Sequence, residues 1–198
     1  MKKVIFLLGI FCFTLLFSQE KENKRYFPAE YVLKTSGDTI KAKVRNTGLY
    51  TNTKYSFATI LFKMKMMDEK GAANWVPINE VRYIKILDEN QNKHEYFAST
   101  DKFLKEKGLI EVLYEGKNIN WYKSFNNSIL TPKVQFIKYL VDKDKNILYE
   151  YKEGPFDDFR QSLKKLFKND SVFTEKLQQA KSEKECIQLL QLWDAKFD

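Results

Sequence analysis

Histidine is nearly absent from this 198-residue chain, with His94 standing alone. A zinc site built from several His and Cys ligands is therefore unavailable, and a Cys–His nucleophilic pair would require Cys186, near the C-terminus, to meet His94. Cysteine is almost as scarce. Cys12 lies in an apolar N-terminal run, so removal of that run leaves Cys186 as one thiol with no intrachain disulfide partner. Glycine totals 7, and the isolated glycines punctuate turns, so there is no Gly-rich phosphate loop and no Gly-x-Ser-x-Gly elbow. Arginine occurs only at Arg25, Arg45, Arg82 and Arg160. Base readout and bidentate phosphate contacts favour arginine, whereas these lysines alternate with acids, so the pattern suits a solvated surface better than a nucleic-acid face and no nucleic-acid partner is expected.

What is present begins with an export pattern. Lys2 and Lys3 precede an apolar run from Val4 to Phe17, broken only by Gly9 and Thr14, and a polar stretch opens at Gln19. The run of about fourteen residues is short of the roughly twenty that a spanning helix needs. No second long apolar run follows, so no transmembrane segment is expected after processing. Ser18 is the small residue before a cut at Gln19, although Leu16 is larger than the small-x-small pattern prefers. A lipid anchor on Cys12 is the alternative, but Phe11 and Gly9 do not make a lipobox and the apolar run continues beyond the cysteine. The expected location is the periplasm or the cell surface. Loss of Lys2 and Lys3 takes the formal charge from +8 to about +6, a mild basicity suited to anionic polysaccharide or lipid headgroups.

From residue 31 to about 151 the hydrophobic period is two, and the breaks are turn residues. Residues 31–35 and 39–45 flank Ser36-Gly37-Asp38. The second segment alternates Ile40, Ala42 and Val44 with Lys41, Lys43 and Arg45, which predicts a half-buried hairpin with a lysine-rich outer face. Residues 59–66 set Lys63 and Lys65 opposite Phe62, Met64 and Met66, and a loop then leads into Trp75-Val76-Pro77. Three further strand, turn, strand units follow across residues 81–98, 109–125 and 134–151. The pattern predicts an α+β protein whose antiparallel β meander of about eight or nine strands forms a sheet, a sandwich or a partly open barrel.

After Gly154-Pro155 the period changes to helical. Phe156, Phe159, Leu163, Leu166 and Phe167 fall at 3/4 spacing, with Asp157 and Asp158 in the first turn and Lys164, Lys165 and Lys168 in the last. A second helix is expected over 171–180 and a third over 182–196, where Ser182 and Glu185 form a capping box and Ile187, Leu190 and Trp193 a buried stripe. Cys186 shares that stripe's spacing and reads as a core residue. The expected organisation is a signal over 1–18, an N-terminal extension over 19–30, a β domain over 31–153, and a C-terminal two- or three-helix segment over 154–198 packed on it.

Few constellations suggest chemistry. Asp142, Asp144, Asn146 and Glu153 match four ligand positions of a calcium loop, but the position that demands glycine is Ile147, so a charged hairpin turn is expected. His94 opens a strand beside a polar turn and reads as a surface residue. With 26 acids in the chain, a carboxylate pair would carry no information. No catalytic residue, metal ligand or cofactor is expected. Trp75, Trp121 and Tyr122, with Tyr83 and Phe97, are the aromatics that could line a carbohydrate or lipid groove, although core packing is the ordinary role of such rings. Trp121 and Tyr122 point to opposite faces, so at most one of them lines any single surface.

The segments Gly37-Asp38-Thr39-Ile40 with Lys41-Ala42-Lys43-Val44, Trp75-Val76-Pro77 before residues 81–86, the run from Val112 to Tyr122, and a helical tail from Phe156 resemble those of secreted β-plus-helix proteins that some Gram-negative bacteria carry in many copies. That group often holds a cysteine-containing turn after the first helix of the tail, where this chain has Asn169-Asp170-Ser171. The group has no assigned activity, so the resemblance implies compartment and fold and no site residue. The expectation is an exported, non-catalytic binding or envelope-associated protein whose partner is an envelope ligand, glycan or protein. The alternative is a small carboxylate-dependent hydrolase acting on glycan.

Overall fold

The computed structural model describes residues 26–47, 54–103, 105–127, 134–152 and 159–197. The expected signal with its cut between Ser18 and Gln19, together with Glu153 and the first-turn residues Phe156, Asp157 and Asp158, lies outside the described residues. The strands are β1 (Tyr26–Leu33), β2 (Thr39–Arg45), β3 (Met64–Met67), β4 (Ala73–Val76), β5 (Val81–Leu87), β6 (Lys93–Ala98), β7 (Leu109–Glu115), β8 (Ile119–Asn127), β9 (Val134–Asp142) and β10 (Ile147–Lys152). A single helical turn, α1 (Ser99–Lys102), follows β6. The chain ends in α2 (Phe159–Leu166), α3 (Ser171–Gln179) and α4 (Glu183–Asp194). The fold is α+β, an antiparallel sheet followed by C-terminal helices.

All ten strands join one sheet in the order β10-β9-β8-β7-β6-β5-β1-β2-β3-β4. Two meanders therefore meet at β1, which pairs with β2 on one side and β5 on the other. The first strand starts at Tyr26, inside the expected extension, because Phe27, Ala29 and Tyr31 already alternate inward. Pro28 lies one residue outside the pairing with β5, where β1 has a neighbour on the β2 side alone, an edge stretch of the kind that accommodates proline. Expected residues 59–66 divide into a 3-10 turn, Phe57–Ile60, and β3. The division follows from Phe57, whose ring stacks on Phe125 at 5.0 Å and meets Phe136 edge-on, drawing this segment over the sheet instead of along it.

The β4–β5 connection fixes the shape. Only residues 77–80 join strands that stand four strand-spacings apart in the sheet, about 19 Å if it were flat, while this link reaches at most about 18 Å fully extended. The sheet must curl so that β4 and β5 approach at one end. The largest core cluster is the consequence, drawing Phe27, Val44, Met64, Ile84, Tyr96 and Phe125 from six different strands. Each such buried side chain contributes roughly 1.5–3 kcal/mol over exposure.

Three turns share one construction. In each, an aspartate (Asp68, Asp88 or Asp142) accepts through Oδ1 from the backbone N–H groups two and four residues on, at 2.8–2.9 Å. The fourth residue is left-handed: Gly71 at φ 83°, Gln91 at 63° and Lys145 at 64°. These are three-residue hairpin loops ending in a bulge, with the side chain closing the turn.

The helices cover the same sheet face farther along β8 and β9, where Trp121 and Leu140 pack with Leu163, Leu177, Cys186 and Leu190. Asp170 caps α3 by accepting from the Phe173 N–H at 2.9 Å, and Ser182 caps α4 by accepting from the Glu185 N–H at 3.2 Å. The expected reciprocal bond is displaced by one residue, since Glu185 accepts from the Lys181 N–H and not from that of Ser182. The end of α4 docks into the β7–β8 turn. Asp194 there accepts from the N–H groups of Lys117 (2.6 Å) and Asn118 (3.0 Å) and from the Tyr114 hydroxyl (3.1 Å). Gly116 allows this approach, because a Cβ at that position would overlap the Asp194 carboxylate and the Tyr114 hydroxyl.

Candidate functional site

The three aromatic candidates have different fates. Trp121 is 2% exposed beneath the helices, and Tyr122 is 2% exposed on the opposite face, where it packs with Phe103 and Tyr139. The adjacent positions do take opposite faces, and neither ring is open to a ligand. Trp75 is 61% exposed on β4, an edge of the sheet. The fold does not bring the three together. Of the other two aromatics, Tyr83 and Phe97 pair across β5 and β6 with ring centroids 5.0 Å apart, half-buried.

Around Trp75 the strand period dictates the surroundings. Met64 and Met66 are buried, so Lys65 between them points outward, and the register sets it directly opposite Trp75. On β2, Val44 faces the core opposite Met66, which turns Lys43 and Arg45 outward beside β3. Lys41 follows on the same face. Glu30 on β1 is the one carboxylate on the outward face of these four strands, and it pairs with Lys85 of β5 at 2.5 Å. The hydrogen bond from Lys85 holds the Glu30 carboxyl below its ordinary range, with the Lys85 and Lys41 charges adding to the effect. Lys43, Arg45 and Lys65 have no ion-pair partner among the described residues. A shallow depression of about 180 Å³ lies on this face between Lys41, Lys85, Pro28 and Leu87.

The result is a positively charged sheet surface with an exposed indole at its rim and a carboxylate held ionised within it. Lysine ammonium groups attract anions without demanding one geometry, and the indole offers a flat apolar face with one N–H donor. The alternation of lysine with Ala42, Val44, Met64 and Met66 in the sequence carried this signal, although it reads equally as a solvated face. What the sequence did not disclose is that β2, β3 and β4 lie side by side and pool those lysines with Trp75.

Other constellations are occupied structurally. Asp142, Asp144 and Asn146 form one of the three shared turns, with the Asp142 carboxylate taken up by backbone N–H groups and the Asn146 amide. His94 is not the surface residue its position suggested. Its side chain is 20% exposed, its ring stacks on Tyr55 at 4.5 Å, and Nε2 lies 3.1 Å from Asp88 Oδ2. Burial pushes the Asp88 carboxyl up, but hydrogen bonds from Asn92, His94 and the backbone outweigh it and hold the group at about 2. Glu111 pairs with Lys123 at 2.6 Å, and Glu183 pairs with Lys138, which is 5% exposed and stands over the Trp121 ring. Among the described residues no group of three or more His, Cys, Asp and Glu could hold a metal ion, and no helix is long and apolar enough to cross a membrane.

No family model, curated protein or solved structure matches this chain. The functional reading therefore rests on the geometry.

Proposed function

We propose that this chain is an exported, non-catalytic binding protein of the cell envelope, and that the outward face of β1–β4 holds an acidic glycan. The observation that carries the reading is the pairing of exposed Trp75 with outward Lys65, Lys43 and Arg45 on a face whose one carboxylate is already ion-paired. A sugar ring presents C–H groups for an indole to cover, and carboxylate substituents at variable spacing suit flexible lysines better than a rigid pocket. Export is supported by the Lys2-Lys3 and Val4–Phe17 pattern that precedes the described residues. The competing hydrolase needs two acids facing one another in a cleft beside Trp75 or Trp121. Glu30 is the one acid on the outward face of β1–β4, and Trp121 is sealed beneath the helices.

The test uses protein recovered from the envelope of producing cells, its mass confirming a start at Gln19. Binding to polygalacturonate and to an uncharged glucan is measured by titration at low and at about 0.3 M salt. The reading expects saturable binding to the acidic polymer alone, weakened at least tenfold by the added salt and about fivefold by Trp75→Ala. Equal binding to both polymers, or indifference to Trp75→Ala, contradicts it.

A further inference from the structure

The depression of about 180 Å³ on the outward face lies where β2, β1 and β5 run side by side. The register places Glu30 directly opposite Lys41 on one side and Lys85 on the other, so its rim reads cation, carboxylate, cation across three strands. Each step is one strand spacing, about 4.8 Å. The two cations are not equivalent. Lys85 stands between two acids: it bonds Glu30 Oε2 at 2.5 Å and lies opposite Glu95, which also takes the Tyr83 hydroxyl and Lys93. Lys41 is exposed and has no ion-pair partner among the described residues. Glu30 is half used in the same sense. Lys85 takes its Oε2, while Oε1 has no hydrogen-bond donor among the described residues. Pro28 and Leu87 add apolar surface beside these groups.

An uncommitted cation one strand away from an uncommitted acceptor oxygen selects a ligand that carries an anionic group and a donor on one compact skeleton. The donor must be neutral, because an ammonium placed there would face both Lys41 and Lys85. A hydroxyl meets that demand. A sulfate ester does not, since it sets a second anion against a carboxylate that Lys85 holds ionised. The depression is shallow, so it seats one ring against Pro28 and Leu87 and does not enclose a whole molecule. We infer that this depression is the specificity subsite of the glycan face, an inference that rests on the acidic-glycan reading above. It takes one hexuronate residue, with the sugar carboxylate at Lys41 and a ring hydroxyl donating to Glu30 Oε1, and Glu30 is the residue that rejects sulfated polysaccharide.

The test is a ranking of two polyanions. Dextran sulfate carries more charge per sugar than polygalacturonate, so attraction by net charge alone places it first. Titration of the protein recovered from the envelope at about 0.15 M salt should instead show polygalacturonate bound at least about threefold more tightly. Glu30→Gln keeps the side chain's size and an acceptor oxygen but removes the charge, and a thermal melt checks that it folds. It should strengthen dextran sulfate about tenfold and change polygalacturonate less than about threefold, because added attraction offsets the weaker hydroxyl bond, so the ranking reverses. Lys41→Gln should weaken polygalacturonate about fivefold. The parent's ranking tests the inference without any variant. A parent that prefers dextran sulfate, an equal gain for both polymers in Glu30→Gln, or indifference to Lys41→Gln would each overturn the subsite and leave the acidic-glycan reading standing. No saturable binding of polygalacturonate would overturn both.

Discussion

The two halves of the sheet solve the same problem in opposite ways. In the half built around β8 and β9 both faces are covered: the helices lie over Trp121 and Leu140, and Phe103 lies against Tyr122 and Tyr139 on the other side. Its strands accordingly read as nearly continuous apolar and aromatic runs, as in Trp121-Tyr122 and Tyr139-Leu140-Val141. In β1–β4 one face builds the core and the other meets water, so in β2 and β3 the cations Lys41, Lys43, Arg45 and Lys65 alternate with Ala42, Val44, Met64 and Met66. In the covered half two cations that lie against packed rings are paired, Lys123 with Glu111 and Lys138 with Glu183, while the open half leaves Lys43, Arg45 and Lys65 unpaired among the described residues. Pairing marks where charge serves packing. The unpaired cations beside the exposed indole are the ones to which the proposed reading assigns the acidic glycan.

The largest effects should come from undoing the cover. Asp194→Ala leaves the N–H groups of Lys117 and Asn118 and the Tyr114 hydroxyl without their acceptor, and should destabilise the protein by about 3 kcal/mol in urea unfolding. Gly116→Ala forces the same contact apart from the other side and should cost a similar amount. In both variants Cys186, fully buried in the native protein, should react with a thiol reagent under conditions where the parent does not. A parent-like melt with Cys186 still protected would show that the helices are held by their apolar stripe alone.

Acid should act on turns and caps. The carboxyls of Asp88, Asp142, Asp170 and Asp194 are all lowered in the folded state, Asp88 to about 2 against an ordinary value of 3.8. A lowered folded value means stability that is complete above the ordinary value and lost as pH falls through the folded one. Stability should therefore hold down to about pH 4 and fall steeply toward pH 2, and Asp88→Asn should flatten part of that slope. A pH profile unchanged in Asp88→Asn would mean that the Asp88 turn does not contribute.

A smaller effect of opposite sign separates the turns. Gln91 and Lys145 hold left-handed backbone that Gly71 adopts without strain in the equivalent loop. Gln91→Gly and Lys145→Gly should each stabilise by about 1 kcal/mol, because the relief of the side chain's clash exceeds the added freedom of the unfolded chain. Destabilisation in a thermal melt would mean that the side chains matter more than the backbone there.

Much of this was legible from sequence because it is local. The aspartate-led turns, the capping role of Ser182, the burial of Cys186 and the opposed faces of Trp121 and Tyr122 all follow from spacing within a few residues. The missed features are long-range. Nothing local tells that β1 is inserted between β2 and β5, since consecutive strands usually pair with one another. Asp194 meets Lys117 and Asn118 across more than seventy residues, and His94 meets Tyr55 only because the segment between β2 and β3 folds over the sheet. For the site, Trp75 was identifiable as an aromatic that could face a ligand. Its distinction from Trp121 depends on which half of the sheet receives the helices, and that is a property of the assembled core.

The most direct test of the difference between the halves is a charge-reversal comparison in polygalacturonate binding. Lys43→Glu with Lys65→Glu alters the open face, and Lys168→Glu with Lys184→Glu makes the same change in net charge on exposed positions of the helical cover. Both pairs should leave stability within about 0.5 kcal/mol of the parent. The account predicts at least a tenfold loss of affinity for the first pair and less than a threefold loss for the second; equal losses would show that net charge alone, and not the β1–β4 face, attracts the polymer.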